Sequence, residues 1–289
     1  MPDQLLKVHA PLDLNAPRLL IGLFGWMDGG DVSTGVVQGL VERLDARPIA
    51  SIDADPFYIY NFPGSMELSA LFRPHVNLTD GLVQDYREPT NTFYSDPAND
   101  LILFVGKEPH LHWQQFTRLF FQFAQQAQVQ EIYFVGSFAG LVPHSREPKL
   151  SGSVSSQAAR DKMAHYHLHF SDYEGPASIS TYMLQIARNK QIDMTNLVAE
   201  IPAYIEGRNP RCIEAMMRRV VALLGIDLNL DDLRLLADEF ERRVNEVVTE
   251  RDDLAQHIRK LEEIYDQELF DTEMPDLRNW LQQRGIRLD

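Results

Sequence analysis

The sequence predicts an α/β fold: a three-layer α/β/α sandwich, 18–225, with a short N-terminal extension, 1–17, and an all-helical C-terminal extension, 226–289. Two observations carry it. Apolar runs bounded by Gly recur, as in Leu19-Leu20-Ile21-Gly22-Leu23-Phe24 and Leu101-Ile102-Leu103-Phe104-Val105-Gly106, each followed by a helical pattern. Strands apolar on both faces, alternating with helices, are those of a sheet covered on both sides. After Gly225 the period changes: Leu233, Ala237, Phe240, Val244, Val247, Arg251, Leu254, Ile258, Leu261 and Tyr265 are spaced alternately four and three apart. That is the heptad seam of a coiled coil.

Composition narrows the function. The net charge is −15, and 17 acidic against 6 basic residues lie between Asp227 and Asp276, so most of the excess sits in the helical extension. Such a surface repels nucleic acid and anionic lipid. No apolar run reaches the roughly 18 residues of a membrane span, and Met1 to Pro17 lacks the apolar core of an export signal. The expected location is cytoplasmic. A single cysteine, Cys212, fits a reducing compartment and excludes a cysteine metal cluster.

The first unit organises the chain. Its strand leads into Gly25-Trp26-Met27-Asp28-Gly29-Gly30, and Asp31 is the expected helix N-cap. Gly35 and Gly39 would let that helix lie close to the sheet. The glycine spacing is not that of a phosphate cradle, no Lys-Ser/Thr pair follows, and Asp28 and Asp31 place carboxylates where a pyrophosphate would sit. No cofactor is expected. Trp26 and Asp28 are instead candidates for a ligand or partner site, because an exposed Trp on a sheet-end loop is costly in water.

Pro48 to Asp53 reads as the second strand, and Asp53 to Gly81 as an aromatic, Pro-rich excursion with a hairpin at Arg73-Pro74-His75. Trp113 to Gln128 is an amphipathic helix burying Phe116, Leu119, Phe120 and Phe123. The strand Glu131 to Gly136 runs into Ser137, with His144 beyond. Gly136-Ser137-Phe138-Ala139-Gly140 departs from the G-x-S-x-G nucleophile elbow, so a hydrolytic Ser–His pair is disfavoured. On a strand, His165, His167 and His169 would share one face, yet neighbours about 7 Å apart strain a common metal shell. No metal is expected. Gly175-Pro176 opens the next helix, Leu197 to Ile201 is a further strand, and Asn209-Pro210 caps a helix ending at Gly225.

An unbroken seam helix from Asp231 to Glu268 would run roughly 57 Å. It needs a partner helix, in a second subunit or by folding back with a break near Arg251. Trp280 and Leu281 would supply a lid.

The chain resembles the proteasome assembly chaperone 2 family, in particular its bacterial members with a helical C-terminal extension, over about Arg18 to Val248. The resemblance rests on Gly25 to Gly30, Phe72-Arg73-Pro74 with Asp80-Gly81, Gly136 with Pro143-His144, Tyr173-Glu174-Gly175-Pro176, Tyr204 with Asn209-Pro210, and Leu224-Gly225-Ile226. It implies a phosphorylase/hydrolase-like sandwich and self-association, a homotrimer foremost, with a second protein complex as a further partner. Some relatives dock on proteasome rings through a C-terminal hydrophobic-Tyr-any tripeptide; Arg287-Leu288-Asp289 lacks that Tyr. It supplies no catalytic residues.

The expectation is therefore a non-catalytic, chaperone-like or scaffold module whose association seam is Leu233, Phe240, Val244, Val247, Leu254, Ile258 and Leu261. The alternative is a hydrolase or phosphorylase-like enzyme in which Trp26, Asp28, Asp31, Arg73, Ser137, His144 and Glu174 converge at the carboxyl ends of the strands.

Overall fold

Four strands too apolar to face water form the middle of the sheet. They are β2 (Arg18–Phe24), β7 (Leu101–Lys107), β8 (Glu131–Gly140) and β11 (Asp193–Pro202), all parallel in the order β7-β2-β8-β11. Leu19, Leu20, Ile21 and Leu101 to Phe104 are wholly buried, which accounts for their unbroken apolar sequence. The computed structural model describes residues 5–166, 168–170 and 172–273.

Shorter strands complete a nine-stranded sheet. On one side β6 (Thr92–Asp96), β3 (Arg47–Ile52) and β1 (Leu6–Val8) add antiparallel, so the segment read as an N-terminal extension supplies an edge strand. On the other side β9 (Leu150–Val154) runs antiparallel to β11, and β10 (His169–Phe170) parallel to β9.

Helices cover both faces. On one lie α3 (Trp113–Gln126) and α5 (Ile179–Lys190), whose aromatic side chains interlock with the sheet: Phe93 and Phe123 have ring centroids 3.9 Å apart, Phe104 and Phe120 5.2 Å. On the other lie α1 (Val32–Arg43), α4 (Gln157–Ala164) and α6 (Pro210–Leu224). Gly22 is where α1 comes closest to the sheet, since a Cβ there would meet the Ser33 carbonyl at 2.7 Å. Gly35 and Gly39 serve a different contact from the expected one: they make room for Ile213 and Met217 of α6, not for the sheet.

Several local readings are corrected. The hairpin of the excursion turns at Asp80-Gly81, not at Arg73-Pro74-His75, and joins β4 (His75–Thr79) to β5 (Leu82–Arg87). Asp80 (φ 51°) and Gly81 (φ 77°) are both left-handed, the backbone of a tight two-residue hairpin turn. A short helix, α2 (Met66–Ala70), precedes it. Helix α5 starts after Ser178, whose hydroxyl accepts a hydrogen bond from the Thr181 amide, and not at Gly175-Pro176. His165 caps the end of α4 and His169 lies on β10, so these two histidines do not share a continuous strand. His167, Trp280 and Leu281 lie outside the described residues, as does the terminal tripeptide. Among the described residues no helix is long and apolar enough to cross a membrane.

The seam helix breaks where its only charged seam position falls. Helix α7 (Asp231–Thr249) ends before Arg251, and α8 (Asp252–Glu273) turns back. Both helices are tied to their own domain. Arg43 pairs with Asp232 at 2.5 Å, Arg211 with Glu241 at 2.8 Å and Arg146 with Asp266 at 2.8 Å. Lys149 pairs with Glu268, and the Tyr265 hydroxyl donates to the Glu147 carbonyl at 2.7 Å. Ile258 is buried within the chain, while Leu233, Phe240, Val244, Leu254 and Leu261 are half-buried. Of the association seam, Val247 alone is open to solvent, at 55%.

Candidate functional site

The carboxyl edge of the sheet is built from the loop after β2. Its first residue, Gly25, has φ 141° and lies against Glu108, whose Cβ would be 2.8 Å from a Cβ at that position. Glu108 accepts the Trp26 amide at 2.9 Å and the Ile179 amide at 3.3 Å, so one carboxylate ties the loop to the start of α5. The Trp26 ring projects outward, 69% exposed.

The loop then turns inward. Asp28 is buried, and its carboxylate accepts the Thr34 amide at 3.0 Å and the Thr34 hydroxyl at 2.7 Å. Asp28 therefore does the capping expected of Asp31, which adopts a left-handed backbone (φ 54°) and makes no side-chain cap. Burial pushes the Asp28 carboxyl up to about 6, against the two Thr34 hydrogen bonds, which favour the charged form. Next to it, Ser137 is wholly buried; its amide donates to the Met27 carbonyl at 2.9 Å and its hydroxyl to the Gly29 carbonyl at 2.6 Å. The only proton of that hydroxyl is committed to the loop.

His144 belongs to a second centre. Its Nε2–H donates to Asn245 Oδ1 of α7 at 3.0 Å. The Tyr204 oxygen accepts the His144 amide at 2.7 Å, and its proton goes to Nδ1 at 2.8 Å. This pattern holds the neutral imidazole, and burial lowers its pKa in the same direction. Only ≈ 10 Å³ is open beside His144 and Phe240, about the space of one water.

The structure thus brings Asp28 and Ser137 together and turns His144 elsewhere. Arg73, at the base of the hairpin, and Glu174, on the loop before α5, are exposed; among the described residues neither pairs with the other candidates. No group of three or more His, Cys, Asp or Glu side chains poised for a metal occurs among the described residues. Cys212 is buried in the first turn of α6, its amide held by Asn209 Oδ1 at 3.1 Å; burial pushes its thiol up to about 12. Glu108, Thr34 and Asn245 escape sequence reasoning, because their partners lie in loops whose path no periodicity encodes.

The sheet with helices on both faces is a fold shared with solved structures, and a family model matches most of the sequence. The sequence model of the PAC2 family matches residues 23–248. The chain belongs to the PAC2 family. Among solved structures, a proteasome-assembly chaperone homologue of Mycobacterium tuberculosis is 26% identical, with TM-score 0.72, covering 83% of this chain and 99% of that one. A second M. tuberculosis protein, of unknown function, is 21% identical with TM-score 0.81 and covers 94% and 92%. An archaeal proteasome activator of Pyrococcus furiosus is 18% identical with TM-score 0.61 over 84% and 97%, a likeness of fold. Among curated proteins none is a significant match.

Two outcomes test this geometry. The raised pKa of Asp28 means that the folded state holds its proton more tightly than the unfolded chain; its contribution to stability is present below about pH 3.8 and is lost as pH rises through about 6. Asp28→Asn keeps the Thr34 contacts without the charge. It is expected to stabilise the protein at pH 8 by about 1–3 kcal/mol, a gain that vanishes below pH 4 in urea unfolding; equal midpoints at pH 8 would contradict it. Tyr204→Phe orphans the His144 amide and ring nitrogen, and should cost about 1–3 kcal/mol with faster hydrogen exchange along α7.

Proposed function

We propose that this PAC2 protein works through protein–protein contacts, as a self-associating chaperone-like or scaffold module, a homotrimer foremost, with a second protein complex as its client. The observation that carries the reading is the arm formed by α2 and the β4–β5 hairpin. Eight large apolar side chains between Met66 and Tyr86 are exposed, among them Met66 at 86%, Leu71 at 70%, Leu82 at 66% and Val83 at 63%. Every residue of the two strands except Asp85 faces solvent. A two-stranded hairpin is marginal alone in water, and a concentrated apolar surface of this kind marks an interaction site.

The candidate catalytic side chains support the same reading, since Ser137 and His144 spend their hydrogen bonds on Gly29, Tyr204 and Asn245. The M. tuberculosis homologue is described as a proteasome-assembly chaperone homologue, and the archaeal relative as a proteasome activator. That kinship favours a protein complex as client over a small-molecule substrate.

Light scattering tests it on the full chain. The wild type is expected at three times the chain mass, and Leu78→Asp with Val83→Asp is expected at lower mass with unchanged circular dichroism. Val247→Asp, on the exposed side of α7, examines the helical extension separately. A wild type that stays monomeric up to high concentration would overturn the self-association reading.

A further inference from the structure

A groove far from the loop after β2 lies between α6, β9 and α8. Its volume is ≈ 570 Å³, within the roughly 300–1,000 Å³ of small-molecule sites. Leu150, Met163, Leu197, Met216, Leu223 and, from α8, Leu269 line it. None of these side chains offers a strong hydrogen-bond donor or acceptor, so the groove suits an apolar body.

The rim is charged, and its charges are unequal. Glu147 is paired with Arg218 at 2.5 Å, and Glu268 with Lys149, whose ammonium also lies 5.0 Å from the Tyr265 ring. Arg219 also lines the groove, and among the described residues it has no ion-pair or hydrogen-bond partner. His169 stands at the same rim, exposed. Once these internal pairs are counted, the Arg219 guanidinium is, among the described residues, left unpaired beside an apolar pocket. A guanidinium fork binds a carboxylate through two parallel hydrogen bonds.

We infer that this groove is a binding site for an amphipathic carboxylate: a medium-length apolar body seated between α6 and α8, with its anionic head on Arg219. The inference rests on neither the arm nor the proposed oligomer, so either can fail without the other.

Calorimetry of the full chain with decanoate, and with decanamide as its uncharged counterpart, tests the inference. Decanoate is expected to bind saturably at one site per chain, about tenfold tighter than decanamide, as a charge-assisted contact requires. Arg219→Gln should bring decanoate down to the level of decanamide and leave decanamide unchanged. Leu223→Trp, at a half-buried wall position, should weaken both by filling the groove. No saturable binding of decanoate, equal affinity of the two ligands for the wild type, or affinities indifferent to both substitutions would overturn it.

Discussion

Two buried serine hydroxyls hold the first strand–loop–helix unit onto the rest of the sheet, and the remainder of the carboxyl edge is set by them. Ser33, in the first turn of α1, accepts the Leu23 amide of β2 at 3.0 Å and donates to the Val135 carbonyl of β8 at 2.5 Å. Ser137, two residues beyond Val135 on β8, donates to the Gly29 carbonyl. Ser33 joins backbone groups where the β2–β8 pairing ends, and Ser137 joins the loop; a buried group left unpaired costs about 1–3 kcal/mol. With both in place the loop closes over the strand ends, Asp28 is drawn inside to cap α1, and Trp26 is left outside.

That closure explains why an edge that often holds a substrate in α/β proteins is here largely packed. Asp28, Ser137 and His144, which sequence alone would recruit for chemistry, serve as structural partners, with their hydrogen bonds taken up nearby. Polarity of another kind governs the helical extension. Its acidic residues meet basic ones on the domain beneath, as in Arg43 with Asp232, Arg146 with Asp266 and Arg211 with Glu241, so part of the negative charge is neutralised within the chain. Of the apolar surface left exposed, the arm carries one dense cluster, from Met66 to Tyr86.

Strands buried on both faces are the most legible in the sequence, because continuous burial leaves an unbroken apolar run. Leu19 to Leu23 and Leu101 to Phe104 are of this kind. Outer strands such as Thr92–Asp96 and Leu150–Val154, each paired on both sides, carry mixed residues and take their conformation from the strands beside them. The helix-capping role passed from Asp31 to Asp28 because φ at Asp31 is left-handed, a property of the loop path and not of the residue type. The break at Arg251 was readable as the one charged place in an apolar seam. The role of His144 was not, since its partner Asn245 stands 101 residues further on. The Asp80-Gly81 dipeptide is itself a hairpin signal, whereas Arg73-Pro74 only precedes the first strand of the hairpin.

The central claim is that Ser137 is a clamp on the loop after β2 and not a nucleophile served by His144. Treating the native full chain with a fluorophosphonate, followed by peptide mass spectrometry, tests it directly. The account predicts no adduct at Ser137, because the hydroxyl is buried and donates to the Gly29 carbonyl. A stoichiometric adduct at Ser137 that disappears in His144→Ala would contradict it and return the carboxyl edge to an enzymatic role.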